Sequence, residues 1–140
     1  MIMRVSAGLI FNESGDFLVA ERAYGKLAGK WEFPGGKIEE GETAEMAIVR
    51  EIKEELGVDI RPEKIVGVFS LPAVAQESEG GYAYPEKEIE LVLIQCSLFP
   101  NQKIISDGSH TEHAWIQFSE CEKYDFAPLD REIIDYLQKR

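Results

Sequence analysis

The chain has 140 residues, 44% of them hydrophobic and 29% charged, a composition typical of one soluble globular domain over residues 1–140. Its formal net charge is −11, from 26 acidic and 15 basic residues, so we expect its surface to repel nucleic acid polymers and anionic membranes. No apolar run reaches the roughly 18 residues of a membrane helix, we expect no signal peptide, and two distant cysteines indicate a reducing cytoplasm without a disulfide.

The first half of the chain predicts a hairpin, a short strand and a helix. Residues 3–22 contain two apolar stretches separated by NESGD, a turn-forming sequence. The loop YGKLAGK leads to WEFPGG, a short aromatic strand ended by Pro34 and two glycines. The segment TAEMAIVREIKEEL predicts a helix with Thr43 as its N-cap and Gly57 as its C-terminal stop.

The second half predicts three strands and a second helix. Strands are expected at residues 64–71 and 89–98, and the polar, glycine-containing segment between them is typical of a long functional loop. EHAWIQF predicts another strand and DREIIDYLQKR a C-terminal helix. The fold class is therefore α+β (mixed α/β), a mostly β sheet with two principal helices.

Three carboxylates gather on one side of the predicted first helix. At about 100° per residue, the apolar positions from Ala44 to Leu56 form one arc, and Glu51, Glu54 and Glu55 form the adjacent one. Arg50 relieves only part of their repulsion, whereas a divalent cation such as Mg²⁺ binds carboxylate oxygens and keeps positions free for phosphates. The alternative is a solvated acidic helix face.

A nine-position spacing decides between these interpretations. The chain fits the pattern G-x5-E-x7-R-E-U-x-E-E-x-G-U, where U is a bulky aliphatic residue, over 23 residues. The matching positions are Gly36, Glu42, Arg50, Glu51, Ile52, Glu54, Glu55, Gly57 and Val58. The chain thus resembles the Nudix hydrolases, which implies the Nudix fold, a mixed β-sheet sandwiched between α-helices.

The resemblance implies a metal site and catalytic roles. Metal ligands would be the carbonyl of Gly35 and the carboxylates of Glu51, Glu54 and Glu55, holding Mg²⁺ or Mn²⁺. Glu51 or Glu54 would also activate water, Arg50 would orient a glutamate, and Glu42 would support the site or bind the metal indirectly. Lys37 would neutralise phosphate.

One position departs from the pattern of the family. MutT-like members often carry a further acidic residue about six positions before the tryptophan that is Trp115 here, and this chain has Ser109 there. Either His110 or Glu112 takes over that role, or the two are ordinary loop and strand polarity.

Resemblance to MutT and to the CTP pyrophosphohydrolases also implies the nucleotide contacts. Arg22 would bind phosphate, and Tyr84, Lys87 and Asp130 would recognise the base. An ionised Asp130 only accepts hydrogen bonds, which suits the amino edge of cytosine or guanine. Asp130 as a mere cap of the second helix is the alternative.

Together these features predict a cytoplasmic, Mg²⁺-dependent hydrolase, monomeric or homodimeric, with a small nucleotide as its partner. Its substrate would be an oxidised or otherwise modified nucleoside triphosphate, cleaved to the monophosphate and pyrophosphate in nucleotide-pool sanitation. The alternatives are CTP or a modified dCTP, then a dinucleotide such as ADP-ribose, and finally a nucleotide-binding module without turnover.

Overall fold

The computed structural model describes residues 2–71 and 88–139. Within them lie seven strands: β1 (Ile2–Phe11), β2 (Phe17–Arg22), β3 (Trp31–Glu32), β4 (Gly35–Lys37), β5 (Ile60–Leu71), β6 (Glu88–Leu98) and β7 (His110–Ile116). Two α-helices, α1 (Ala44–Leu56) and α2 (Pro128–Gln138), and a 3₁₀ helix (Phe118–Lys123) complete the described part.

The strands form one mixed sheet in the order β3-β2-β1-β6-β5, with β4 also paired to β1 and β7 to β2. β1 runs parallel to β6 along its full length, from Ile2 opposite Glu88 to Phe11 opposite Ser97. On its other edge, β1 pairs with β4 near its start and with β2 only at Phe11. β4 therefore occupies the gap where β2 diverges from β1.

The two helices cover opposite faces of this sheet. Ile48, Ile52 and Leu56 of α1 are fully buried in one apolar cluster, and Ile133 and Ile134 of α2 are fully buried in the other. The sheet sandwiched between helices that the sequence predicts is therefore confirmed.

Local chemistry sets both ends of α1. The Thr43 hydroxyl accepts a hydrogen bond from the backbone N–H of Met46 at 3.1 Å. Gly57 ends the helix with φ of 69°, in the left-handed region that favours glycine. Both predicted caps are confirmed.

Other boundaries differ from the predictions. β5 begins at Ile60 rather than residue 64, because a register shift after Pro62 lets the strand pass the proline. β7 and α2 each begin two residues before their predicted starts. The predicted functional loop between the strands at 64–71 and 89–98 lies mostly outside the described residues.

Cys96 and Cys121 are both buried free thiols. Within residues 2–71 and 88–139, the helices are too short or too polar to cross a bilayer.

Candidate active site

The three glutamates that form the predicted acidic arc of α1 differ in exposure. The side chain of Glu54 is 58% exposed, that of Glu51 17%, and Glu55 as a whole only 8%. The predicted acidic arc therefore turns from solvent into the protein, with Glu55 at its inner end.

The two glycines of β4 let the backbone approach its neighbours closely. A Cβ atom on Gly35 would overlap the carbonyl oxygen of Ser6, and one on Gly36 would overlap the carboxylate of Glu51. Both glycines have negative φ, so space rather than backbone conformation requires them. Gly36 is thus part of the surface on which the Glu51 carboxylate rests.

Arg50 joins the loop before α1 to the carboxylates on the helix. Its guanidinium donates to both carboxylate oxygens of Glu42, at 2.8 and 2.9 Å, to Glu51 at 2.9 Å and to the backbone carbonyl of Lys37 at 3.0 Å. Its contact with Glu54, one helical turn away, is longer at 3.3 Å. Hydrogen bonding to Arg50 lowers the pKa of Glu42 to about 2, and the pKa of Arg50 is raised in return. Arg50 therefore fixes the position of Glu51.

Glu55 is an unsatisfied buried acid. Burial, and then the negative charges of Glu32, Glu51 and Asp107, raise its pKa to about 9. Its Oε2 atom has no hydrogen-bond partner within the described part of the chain. A buried carboxylate oxygen without a partner suits a cation ligand, because a cation favours the ionised form.

Facing α1 is a wall built from β3 and β7. Glu32 accepts a hydrogen bond from Arg22 at 2.9 Å and lies 3.0 Å from Nε2 of His110. Arg22 and His110 are themselves adjacent partners in the β2–β7 ladder, at a register shift. Glu32 therefore has a basic neighbour on each side.

Asp107 completes the acidic surroundings of Glu55. Its backbone N–H donates to the carbonyl of Glu55 at 2.8 Å, which ties its loop to the end of α1. The backbone N–H and the hydroxyl of Ser109 both donate to its carboxylate and lower its pKa. Sequence reasoning missed Asp107 because it considered Ser109, six positions before Trp115, and then only His110 and Glu112 as replacements.

These walls enclose a cavity of about 270 Å³, hereafter the acidic cavity. Its ionisable lining residues are Arg22, Glu32, Glu51, Glu54, Glu55, Asp107 and His110. A second cavity of about 420 Å³, the apolar cavity, lies between the start of β1, the β2–β3 loop and the start of α2. Arg22, Glu32 and Gly35 line both, so the two cavities meet at these residues.

Asp130 lies in the wall of the apolar cavity. It is 7% exposed, and its carboxylate accepts a hydrogen bond from the backbone N–H of Phe33 at 2.9 Å. The N-cap of α2 is Ala127, so the helix-cap interpretation of Asp130 is wrong. Burial, and then the charge of Glu32, raise the pKa of Asp130, so the assumption of a simple ionised acceptor also needs correction.

The remaining predicted residues divide into three groups. Gly35 and Arg22 line both cavities, and His110 lines the acidic one. Lys37 and Glu112 are exposed and line neither of these two. Tyr84 and Lys87 lie outside the described residues, so their roles stay predictions.

The donor set fits a divalent cation, although it is not arranged as a finished metal site. Among residues 2–71 and 88–139, no three His, Cys, Asp or Glu side chains already group as metal ligands. The unpartnered oxygen of Glu55 beside the Glu51 and Glu54 carboxylates nevertheless supplies the hard oxygen ligands that Mg²⁺ and Mn²⁺ take. Mutual repulsion is expected to hold such carboxylates apart until a cation neutralises them.

Comparisons with known proteins identify similar sequences and structures. A family model described as NUDIX domain matches residues 1–137. The 8-oxo-dGTP diphosphatase of Escherichia coli (strain K12) is 32% identical over 138 residues, which cover 98% of this chain and 97% of that protein. The CTP pyrophosphohydrolase of the same organism is 47% identical over 51 residues, covering 36% of this chain and 38% of that protein. A crystal structure of a MutT protein from Methanosarcina mazei Go1 has a TM-score of 0.76 at 23% identity, covers 99% of this chain and 96% of that one, and supports the fold alone.

Proposed function

The chain belongs to the Nudix family of hydrolases, and we propose that it cleaves nucleoside triphosphates to the monophosphate and pyrophosphate with Mg²⁺ or Mn²⁺. The observation that carries this proposal is the junction of an acidic cavity with an apolar one at Arg22, Glu32 and Gly35. A nucleotide has two halves that match these cavities. Its anionic phosphate chain can bind the acidic cavity through a cation, and its flat, largely apolar base suits the apolar cavity.

The acidic cavity would hold the phosphates through a cation on Glu51, Glu54 and Glu55, with the Gly35 carbonyl as a further ligand. When bound, that cation would polarise the attacked phosphoryl group, lower the pKa of a bound water and neutralise the departing pyrophosphate. Arg50 holds Glu51 in place through its 2.9 Å hydrogen bond. The proton of the attacking water would pass to Glu51 or Glu54.

Positive charge at the junction would come from Arg22 rather than Lys37. Arg22 lines both cavities and remains partly exposed, whereas Lys37 lies away from them. The carboxylate of Glu32 accepts a hydrogen bond from the Arg22 guanidinium at 2.9 Å. Arg22 is therefore already oriented at the junction, where the phosphate chain would join the nucleoside. Positioning of this kind supplies much of what phosphoryl transfer needs.

The apolar cavity would hold the base of an oxidised or otherwise modified purine nucleotide, in sanitation of the cytoplasmic nucleotide pool. Its volume of about 420 Å³ suits a purine, and Asp130 supplies a polar group in its wall. Similarity to an 8-oxo-dGTP diphosphatase along nearly the whole chain favours this class. CTP is the second candidate because of the shorter, 47% identical match to a CTP pyrophosphohydrolase.

A pyrophosphate-release screen tests this reaction. Wild-type protein should release pyrophosphate from 8-oxo-dGTP faster than from dGTP, CTP or ADP-ribose, and only when Mg²⁺ or Mn²⁺ is present. The control is Glu45→Gln, an exposed glutamate in the first turn of the same helix, which should behave as wild type. If the protein hydrolyses no triphosphate with either Mg²⁺ or Mn²⁺, the proposal is rejected. If it prefers CTP, the second candidate substrate is the correct one.

Binding should also raise thermal stability. Millimolar Mg²⁺ with a non-hydrolysable nucleotide stabilises only the folded state, by about 2.7 kcal/mol when the ligand is at 100 times its Kd. We expect the melting temperature to rise with both ligands together by more than the sum of their separate effects, because phosphate and cation bind each other. A melting temperature that stays unchanged at ligand concentrations well above any reasonable Kd would contradict a shared site.

Replacement of Asp130 by Asn should change base preference while preserving the fold. Asn keeps a carbonyl for the Phe33 N–H and presents an amino group instead of a second carboxylate oxygen. We expect kcat/KM for guanine nucleotides to fall by the equivalent of about 1–3 kcal/mol of transition-state stabilisation. The reason is that an N–H donor of the base then faces the amide N–H donor of Asn. In the wild type, the preference for such bases should rise with pH as Asp130 ionises, and Asn should abolish that rise.

Measurements of kcat/KM for 8-oxo-dGTP, dGTP and CTP at several pH values, beside thermal unfolding, test the role of Asp130. Equal losses on the three substrates with an unchanged pH profile would show that Asp130 acts only by holding Phe33.

A further inference from the structure

The apolar cavity has a basic residue that the nine-position pattern does not contain. Lys26, in the loop between β2 and β3, lines this cavity but not the acidic one. Within residues 2–71 and 88–139, its ammonium group takes part in none of the hydrogen bonds or ion pairs that hold the other site residues. The guanidinium of Arg22, the other basic group in this lining, is already paired with Glu32.

The loop that carries Lys26 is held by backbone hydrogen bonds. The N–H of Arg22 donates to the carbonyl of Lys30, and the N–H of Gly29 donates to the carbonyl of Arg22, both at 2.9 Å. Gly25 and Gly29 have φ of 90° and 84°, values that favour glycine. A further bond, from the N–H of Ala23 to the carbonyl of Ser109 at 3.0 Å, ties the loop to β7. These hydrogen bonds and glycine conformations therefore hold the backbone of Lys26 beside the apolar cavity.

Among the residues that the structure describes, few polar side chains line the apolar cavity. Away from the junction with the acidic cavity, its described hydrogen-bonding side chains are those of Ser6, Lys26 and Asp130, and the buried Ser6 hydroxyl has no partner within residues 2–71 and 88–139. Apolar residues such as Phe33 and Leu129 supply most of the remaining surface. A lysine ammonium only donates hydrogen bonds. An acceptor on the base is the complementary group, and the exocyclic carbonyl of an oxopurine is such an acceptor.

We propose that Lys26 is a specificity-determining residue that donates to an exocyclic carbonyl of the base and thereby favours oxopurines over adenine. This inference rests on the proposed function, since it assigns the base to the apolar cavity. Guanine and hypoxanthine carry a carbonyl at C6, where adenine carries an amino group. A buried amino group facing an ammonium leaves two donors without an acceptor, which costs affinity.

Substitution of Lys26 by Met tests the contact, because Met keeps the length of the apolar stem and removes the charge. The substrates are dITP and dATP, which differ only on the six-position edge, together with dGTP and the base-free deoxyribose 5′-triphosphate. We expect kcat/KM for dITP and dGTP to fall about tenfold or more, with less than a twofold change for dATP and the base-free compound. Lys26→Arg should retain most of the preference, because Arg also donates.

Lys123→Met is the matched control for loss of one positive charge. Lys123 is 73% exposed on the 3₁₀ helix and lines neither cavity. Equal losses for all four compounds in Lys26→Met would assign Lys26 to the phosphates and overturn the proposal, as would no loss for any of them.

Calorimetric binding of dIMP and dAMP reads the same contact without turnover. Wild type should bind dIMP more tightly than dAMP, and Lys26→Met should remove the difference. If the wild type hydrolyses nothing, the proposed reaction fails, while these two monophosphates still decide the role of Lys26. Equal wild-type affinities for both would overturn it.

Discussion

Replacement of Glu55 by Gln should lower kcat by at least 10²–10³-fold, the effect of removing one preorganised electrostatic group from a reacting centre. Gln has nearly the shape of Glu but cannot carry the charge that binds a cation. Glu55 is the most buried of Glu51, Glu54 and Glu55, and its Oε2 lacks a partner in the described part of the chain, which leaves that oxygen available to a cation.

The same variant should alter stability in a way that depends on pH. The pKa of Glu55 is raised from 4.5 to about 9 in the folded protein, so the native state binds the extra proton. The free energy of unfolding of the metal-free wild type should therefore fall as pH rises from about 4.5 to about 9. Glu55→Gln cannot ionise and should lack this decline, so its stability relative to wild type should increase over the same interval.

Denaturant unfolding at pH 6 and pH 9 without metal, combined with kcat at saturating Mg²⁺, measures both effects. Glu45→Gln, on the exposed first turn of α1, is the control and should change neither. Near wild-type kcat in Glu55→Gln would show that Glu55 is no principal metal ligand, whatever its stability profile.

Replacement of Gly36 by Ala should lower kcat by roughly 10²-fold, because a displacement of about 1 Å in a catalytic group has that effect. The added methyl group would overlap the Glu51 carboxylate and force it away from its position on β4. Overpacking of this kind also costs about 1–3 kcal/mol of stability.

A double-mutant cycle separates this clash from a general weakening of β4. In a Glu51→Ala background the overlapping carboxylate is gone. Gly36→Ala should then lower the free energy of unfolding, measured with denaturant, by at least about 1 kcal/mol less than it does in wild type. Equal costs in the two backgrounds would mean that the methyl group does not act through Glu51.

Features set by neighbouring residues were predictable from the sequence. The limits of α1 follow from Thr43 and Gly57, because an N-cap hydroxyl and a left-handed glycine act within one turn of the helix. The spacing of Gly36 to the glutamates of α1 also indicated the site, and the clash at Gly36 supplies a physical reason for that glycine.

Features set by distant parts of the chain were not predictable in this way. Helical periodicity placed Glu54 and Glu55 on one arc, but the loop containing Asp107 covers Glu55 and leaves Glu54 exposed. Asp130 was expected to cap α2 or to meet the base, but the hydrogen bond that it accepts from the backbone of Phe33, 97 positions away, was not expected. No local pattern distinguished Lys26 from Lys37, because only the folded loop puts Lys26 beside a cavity.

The most direct test of the central claim is a crystal structure with Mn²⁺ and a non-hydrolysable 8-oxo-dGTP analogue, in which anomalous scattering locates the metal. We predict an anomalous peak in the acidic cavity among Glu51, Glu54 and Glu55, with the phosphates beside Arg22 and the base in the apolar cavity next to Asp130. Manganese bound elsewhere, or a base lying outside the apolar cavity, would contradict the assignment of the two cavities to one nucleotide.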